Sequence, residues 1–215
     1  MVCLFGNNIM DETSKALIRR LGSAQYVNTY FVGQGIDIGC GNDSLGKYQQ
    51  QFPLISSVRP WDLPDGDAQY MSTVEDNTYD FVHSSHCLEH LYDPKLALQN
   101  WIRICKPGGH LIITIPDEDL YEQGVWPSNH NHDHKTSWTI LKNSSWSNNS
   151  VNLVEILYLF RSQCEILKIE LINSTFIYNA RRIDQTLHGI GECAIEFILR
   201  KRTEEEVARK GRLPK

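Results

Sequence analysis

Between residues 130 and 135 the chain reads His-Asn-His-Asp-His-Lys. Imidazole ordinarily titrates near neutrality, so it can take or give a proton at physiological pH, and it is a common metal ligand. His134 is the candidate general base, with Asp133 beside it to orient the ring. A second arrangement uses the alternation. In an extended segment His130, His132 and His134 share one face. With Asp133 or Asp117 nearby they would form a divalent-metal trio. The base is favoured over the metal, and a solvated polar loop is the bland alternative to both.

A second stretch with chemical content lies about ninety residues earlier. Residues 35–41 read Gly-Ile-Asp-Ile-Gly-Cys-Gly. Here a buried strand runs into a glycine turn, with Asp37 two positions before Gly39. Glycine lets a backbone approach a ligand where a Cβ would clash. A strand, a glycine turn and a helix form the nucleotide-binding corner of a doubly wound sheet. The dinucleotide fingerprint needs a third glycine, and Ser44 stands there.

The surrounding elements must hold these two stretches in place. Apolar spacing predicts a helical cover over 12–32 and a strand near 35–38. A helix over 44–51 and strands near 54–59 and 79–84 follow. Asp93-Pro94 opens a helix, since Asp caps well and Pro suits the first helical position. Lys106-Pro107-Gly108-Gly109 stops it, and a strand follows at 110–115. Residues 117–149 are polar and carry Trp126, Trp138 and Trp146, which argues for an ordered functional insertion. A helix over 151–162 and two antiparallel strands at 165–172 and 192–200 complete the domain. The tail from 203 to 215 is charged and expected to fray.

Composition sets the outer limits. A chain of 215 residues suits one α/β domain. Its formal net charge of −5 and the lack of a basic run argue against a nucleic-acid partner. The six cysteines are scattered with no CxxC pair, which predicts reduced thiols and a cytoplasmic location. No signal segment and no membrane span are read from the apolar runs.

Four stretches in order, Asp-Ile-Gly-Cys-Gly-Asn (37–42), Gly-Asp-Ala-Gln (66–69), Cys-Leu-Glu-His-Leu (87–91) and Lys-Pro-Gly-Gly (106–109), resemble the class I S-adenosylmethionine-dependent methyltransferases. The type 11 subgroup is the nearest likeness. The resemblance covers about residues 35–116. It implies a Rossmann-like α/β fold with a mainly parallel seven-stranded sheet and one antiparallel strand near the C-terminus. It implies one methyltransferase domain over 1–215, with a cofactor core at 35–116, an acceptor-site insertion at 117–149 and C-terminal elements at 150–202. S-adenosylmethionine would be the cofactor and S-adenosylhomocysteine the product.

The resemblance also distributes roles. Gly39, Cys40 and Gly41 would meet the amino acid and ribose, and Asp37 would orient the ammonium end. Asp62, with Asp65 as the alternative, would accept from the ribose hydroxyls. Asp67 and Ala68 would hold the adenine, and Ser84 and Ser85 would line the cleft. Glu89 and His90 would shape the turn before the next helix. The residues at 84–87 are Ser-Ser-His-Cys, not the Asn/Asp-Pro-Pro-aromatic run of many amino-group methyltransferases.

The insertion resembles a Trp-Pro-Ser … Asn-x-Asp-His-Lys … Thr pattern of some type 11 enzymes, matched at Asn131, Asp133, His134, Lys135 and Thr139. His86, Asp117, Trp126, Asn131 and Lys135 would then contact the acceptor. That acceptor is expected to be a hydroxyl on a sugar, a glycan or another small polar metabolite. A methyltransferase acting on protein or RNA, or a non-catalytic cofactor-binding module, are the rival readings.

Overall fold

The computed structural model describes residues 12–213. Cys3 and both ends of the expected domain lie outside them. Six strands form the main sheet: β1 (Gly33–Ile38), β2 (Ile55–Trp61), β3 (Tyr79–Ser85), β4 (Cys105–Pro116), β7 (Cys164–Ile172) and β8 (Ala194–Lys201). Their spatial order is β2-β1-β3-β4-β8-β7. The first four run parallel, and β8 runs against both of its neighbours. The fold is the expected Rossmann-like one, but the sheet has six strands, not seven. The physical reason lies in residues 62–78. They make short turns, including the single 3₁₀ turn Leu63–Asp65, with no helix and no further strand, so β2 stays at the edge.

Side chains alternate across the sheet, as the strand repeat requires. Ile36, Ile38, Val82, Leu111, Ile113, Ile115 and Phe197 face α2 (Pro94–Ile104) and α3 (Leu153–Tyr158) in one core. Asp93 caps α2 by accepting from the Leu96 N–H at 2.9 Å. Phe81, Ile112 and Ile198 face a second core with Tyr26, Tyr30, Phe31, Leu45 and Phe52. The expected helix over 12–32 is two pieces, α1 (Glu12–Leu21) and a π-helical turn at Tyr26–Tyr30. The helix expected over 151–162 is the shorter α3, and the tail expected to fray forms α4 (Glu204–Arg209). A capping box explains the latter: Thr203 and Glu206 satisfy each other's backbone N–H groups.

The insertion is ordered by a buried carboxylate. Residues Glu118–Glu122 form a π-helical turn, and Glu118 within it receives Lys142 and Ser145, both at 2.7 Å. Strands β5 (Ser137–Thr139) and β6 (Ser150–Asn152) pair beside it. Trp138 is fully buried in the core and donates to Thr136 Oγ1 at 3.0 Å, so it packs the insertion and cannot stack on an acceptor. No helix among the described residues is long and apolar enough to cross a membrane.

One polar row crosses the second core. Asp37 is paired in register with His83, and Thr114 with Glu196. Arg20 of α1, fully buried, reaches into this row. It contacts His83 Nε2 at 2.9 Å and Glu196 Oε2 at 3.0 Å, and donates to Thr114 Oγ1 at 3.2 Å. Arg19 adds a bond to Glu196 at 2.7 Å. Burial alone would raise the Glu196 pKa, but Arg20 and Arg19 outweigh it and hold the carboxyl well below its usual range.

A carboxylate whose pKa is depressed on folding stabilises above its unfolded value and loses that contribution as pH falls toward the folded one. Glu196→Gln is therefore expected to cost about 3–5 kcal/mol near neutral pH, since it strands Arg20. The gap between wild type and variant should narrow below about pH 4, the ordinary glutamate value. Urea unfolding across that range measures both effects. A pH-independent gap would show that the charge of Glu196 is not what stabilises.

Candidate active site

The site lies beyond the C-terminal ends of β1 to β4, where an open parallel sheet binds its ligands. Gly39 and Gly41 take φ values of 70° and 51°, in the left-handed region that favours glycine. A Cβ on Gly39 would sit 2.5 Å from Cys87 Sγ, so that position must stay bare for packing. A Cβ on Gly41 would meet nothing within 4 Å, so the backbone there is open to a ligand. The Gly41 N–H donates to Asp62 Oδ2 at 2.9 Å, which places this carboxylate on the turn. Asp65 caps the backbone N–H of Asp62 at 3.0 Å and so supports it. Of the two candidates, Asp62 is the one at the turn. Glycine backbone and an adjacent carboxylate suit the polar groups of a nucleoside-bearing amino acid.

Other predicted cofactor contacts have different work. Asp37 is buried, and its oxygens accept from His83 Nδ1 at 2.6 Å and the Leu45 N–H at 2.7 Å. Arginine can only donate, so His83 Nε2 accepts from Arg20 and Nδ1–H donates to Asp37. Asp37 therefore braces the glycine turn from below. Ser84 is also buried and donates to the Ile38 carbonyl at 3.0 Å. Both residues brace the turn through these bonds. Cys40 is half-buried, and burial pushes its thiol up to about 11. Asp67 is exposed and accepts from the Gln69 N–H at 2.7 Å, while the Ala68 carbonyl accepts from Trp101 at 2.8 Å. The Ser85 hydroxyl is buried without a hydrogen-bond partner among the described residues.

The turn after β3 carries the second half of the site. Glu89 is fully buried, and its carbonyl accepts from the Lys135 and Thr136 N–H groups at 2.8 and 3.2 Å, which docks the insertion. Three imidazoles surround its carboxylate. His86 Nδ1 lies 3.5 Å from Oε1, His90 Nε2 3.8 Å and His134 Nε2 3.9 Å. Burial would raise the Glu89 pKa, but His86, His90 and His134 outweigh it and hold it at about 2. His86 also faces Glu12 at 3.6 Å. Burial would lower its pKa, but Glu12 and Glu89 together raise it.

The partner expected for His134 is corrected. Its Nδ1 meets Glu122 Oε1 at 2.6 Å, not Asp133. Asp133 instead pairs with His90 Nδ1 at 3.0 Å and Lys135 at 2.9 Å. The reason is the backbone: residues 131–134 turn, with the His134 N–H returning to the Asn131 carbonyl at 3.3 Å. The same turn dissolves the alternative histidine trio. His132 is exposed, and the His130 ring packs on Tyr121 at 5.6 Å and is not among the clustered donors. Among the described residues the donors that cluster are Glu89, His90 and His134, all within 4.8 Å of one another. Glu89, Glu122 and His90 were absent from the expected contact set; the Leu-Glu-His run was the available signal for two of them.

Among the predicted acceptor contacts, His86 and Lys135 border this cluster. Asp117 is buried, caps the π-helical turn through the Asp119 and Leu120 N–H groups, and is raised by that burial to about 6. Asn131 caps the turn through the Asp133 N–H at 3.1 Å. Trp126 is half-buried, in the insertion.

A family model described as a methyltransferase domain matches residues 24–150. Phosphoethanolamine N-methyltransferase 2 of Caenorhabditis elegans is 28% identical over 140 residues, 56% of this chain and 32% of that protein. The matched stretches span 22% and 32% of the curated relatives' own lengths. Two solved structures share the fold. One is the methyltransferase bound to the Trm112 activator in a Haloferax volcanii complex, with a TM-score of 0.60 and 15% identity over 88% of this chain and 90% of that one. The other is an S-adenosylmethionine-dependent methyltransferase of Mesorhizobium loti, with a TM-score of 0.54 and 15% identity over 84% and 99%. The family match takes in every strand that builds the cleft, from β1 to β5, so the chain belongs to the methyltransferase domain family, as a class I protein whose cofactor is S-adenosylmethionine.

Proposed function

We propose that the protein methylates a hydroxyl of a small polar acceptor, a sugar or glycan hydroxyl being the favoured class. The carrying observation is the Glu89–His90–His134 cluster beside the glycine turn, with Cys87 packed against Gly39 only two residues before Glu89. S-adenosylmethionine supplies a methyl that passes to the acceptor oxygen while its sulfur keeps the C–S electron pair. The chain's own tasks are alignment and removal of the acceptor proton. Asp62 and the glycine turn hold the donor side. The cluster receives the acceptor and takes up its proton. His134 is central to it, fixed by Glu122.

The Ser-Ser-His-Cys run at 84–87 supports a hydroxyl over a planar amine. The amine reading is favoured instead by the phosphoethanolamine N-methyltransferase relative. A protein partner or a macromolecular substrate would follow from the Trm112-bound neighbour. A cytoplasmic setting fits the cysteines of the described residues, all of which are free.

Asp62→Ala should weaken S-adenosylmethionine binding roughly 10- to 100-fold, the worth of a charge-assisted hydrogen bond, as read by calorimetry. Unchanged affinity would remove Asp62 from the cofactor site. A methyl-release assay against sugars, sugar nucleotides, peptides, RNA and phosphoethanolamine identifies the acceptor; turnover on phosphoethanolamine alone would replace the hydroxyl reading. On the active acceptor, His134→Ala should lower turnover about 10²–10⁴-fold with cofactor affinity retained. Full activity in that variant would exclude the cluster from the proton step.

A further inference from the structure

We infer that Glu89, His90 and His134 form a binding site for one divalent transition-metal cation of the zinc type. The donor set is two imidazoles and a carboxylate, which suits zinc with an open position. Glu89 Oε1 lies 3.8 Å from His90 Nε2 and 3.9 Å from His134 Nε2. These gaps are too long for hydrogen bonds. They are close to the separation of about 3.4 Å between tetrahedral ligands on bonds of about 2.0–2.2 Å. The three donor atoms lie within 4.8 Å of one another, so they must draw together around the ion on binding.

Two further observations point to a cation. Both carboxylate oxygens of Glu89 are buried without a hydrogen-bond partner among the described residues, although the side chain is fully enclosed. A buried polar group left so calls for a ligand. The histidines are also oriented as metal ligands are. His134 gives its Nδ1 to Glu122 at 2.6 Å, and His90 its Nδ1 to Asp133 at 3.0 Å. Each ring is thereby locked with Nε2 turned toward Glu89, the carboxylate–histidine support that metal centres use. His86 Nδ1, 3.5 Å from Glu89, borders the site without belonging to the donor set.

Cation binding rests on this geometry alone; its purpose rests on the cluster being the acceptor face. With the cation bound, His134 Nε2 is a ligand and no longer a base; the cation itself would then act as the Lewis acid that eases deprotonation of the acceptor hydroxyl, the proton leaving to solvent.

The test uses tag-free full-length protein, stripped with chelator, then titrated with Zn²⁺ and measured by elemental analysis after dialysis. One equivalent per chain is expected. Co²⁺ in its place should give the visible absorption of a low-coordinate nitrogen–oxygen site. Glu89→Gln and His90→Ala should each weaken Zn²⁺ binding about tenfold or more, while His132→Ala, outside the cluster, leaves it unchanged. Cofactor binding by each variant verifies folding, and His90, half-exposed, is the safer substitution. No uptake, or uptake by Glu89→Gln and His90→Ala equal to that of the wild type, would overturn the site. Zinc bound with no methyl release from any acceptor would uphold the site and overturn the acceptor reading. Methyl release by a protein that takes up no zinc would do the reverse.

Discussion

A carboxylate removed from water must be compensated, and Glu89 imposes that requirement on the whole acceptor side. It is fully buried, and its oxygens find no hydrogen bond among the described residues. The compensating imidazoles come from the turn itself, through His86 and His90, and from the insertion, through His134. Its backbone carbonyl meanwhile receives two N–H groups of the insertion. One residue thus supplies both the mechanical latch and the electrostatic demand. Undocking the insertion would take His134 away from the buried carboxylate and two N–H donors from its backbone carbonyl, an unfavourable change in a medium of low dielectric. The insertion and the turn at Leu88–His90 therefore form one docked unit around Glu89.

The donor side obeys the same rule with different chemistry. Asp37 is also buried, but it is fully bonded, to His83 and to the Leu45 N–H. His83 passes the constraint to Arg20, and Arg20 to Glu196. This chain of paired groups links β1, β3 and β8 to α1 under the glycine turn. Its members brace the turn from beneath. The contrast is informative: bonded buried charges brace, while the unbonded one at Glu89 is free to act.

Most of the frame was legible because it depends on local periodicity. The apolar runs of β1 and β3, and Asp93-Pro94 before α2, announce themselves within a few residues. Gly41 and Asp62 were likewise readable, since strand ends and glycines mark the turn. The missing seventh strand was not, because it depends on how residues 62–78 pack. The pairing of His134 failed for a related reason. Its partner Glu122 is twelve residues away and Glu89 forty-five, and a backbone turn at 131–134 carries Asp133 toward His90 instead. Alternation along the sequence implies a shared face only where the chain is extended, and here it is not. Arg20 shares the spacing of the face that packs on the sheet, but its partners His83, Thr114 and Glu196 are 63 to 176 residues away and leave no local trace.

The two halves of the site are joined at close range, and this bears on how a methyl can pass between them. Cys87 packs against Gly39 of the cofactor turn, and Glu89 follows two residues later. Two residues of chain span at most about 7 Å even when extended. The segment is a 3₁₀ turn at Leu88–His90, so the real span is shorter. Glu89 is therefore tethered to the glycine turn by a short piece of backbone. Neither can shift without the other. In-line transfer needs the reacting atoms held within a few tenths of an ångström of the productive geometry. In the proposed transfer, a short rigid link between cradle and cluster would meet that need, and the insertion would be left to select the acceptor.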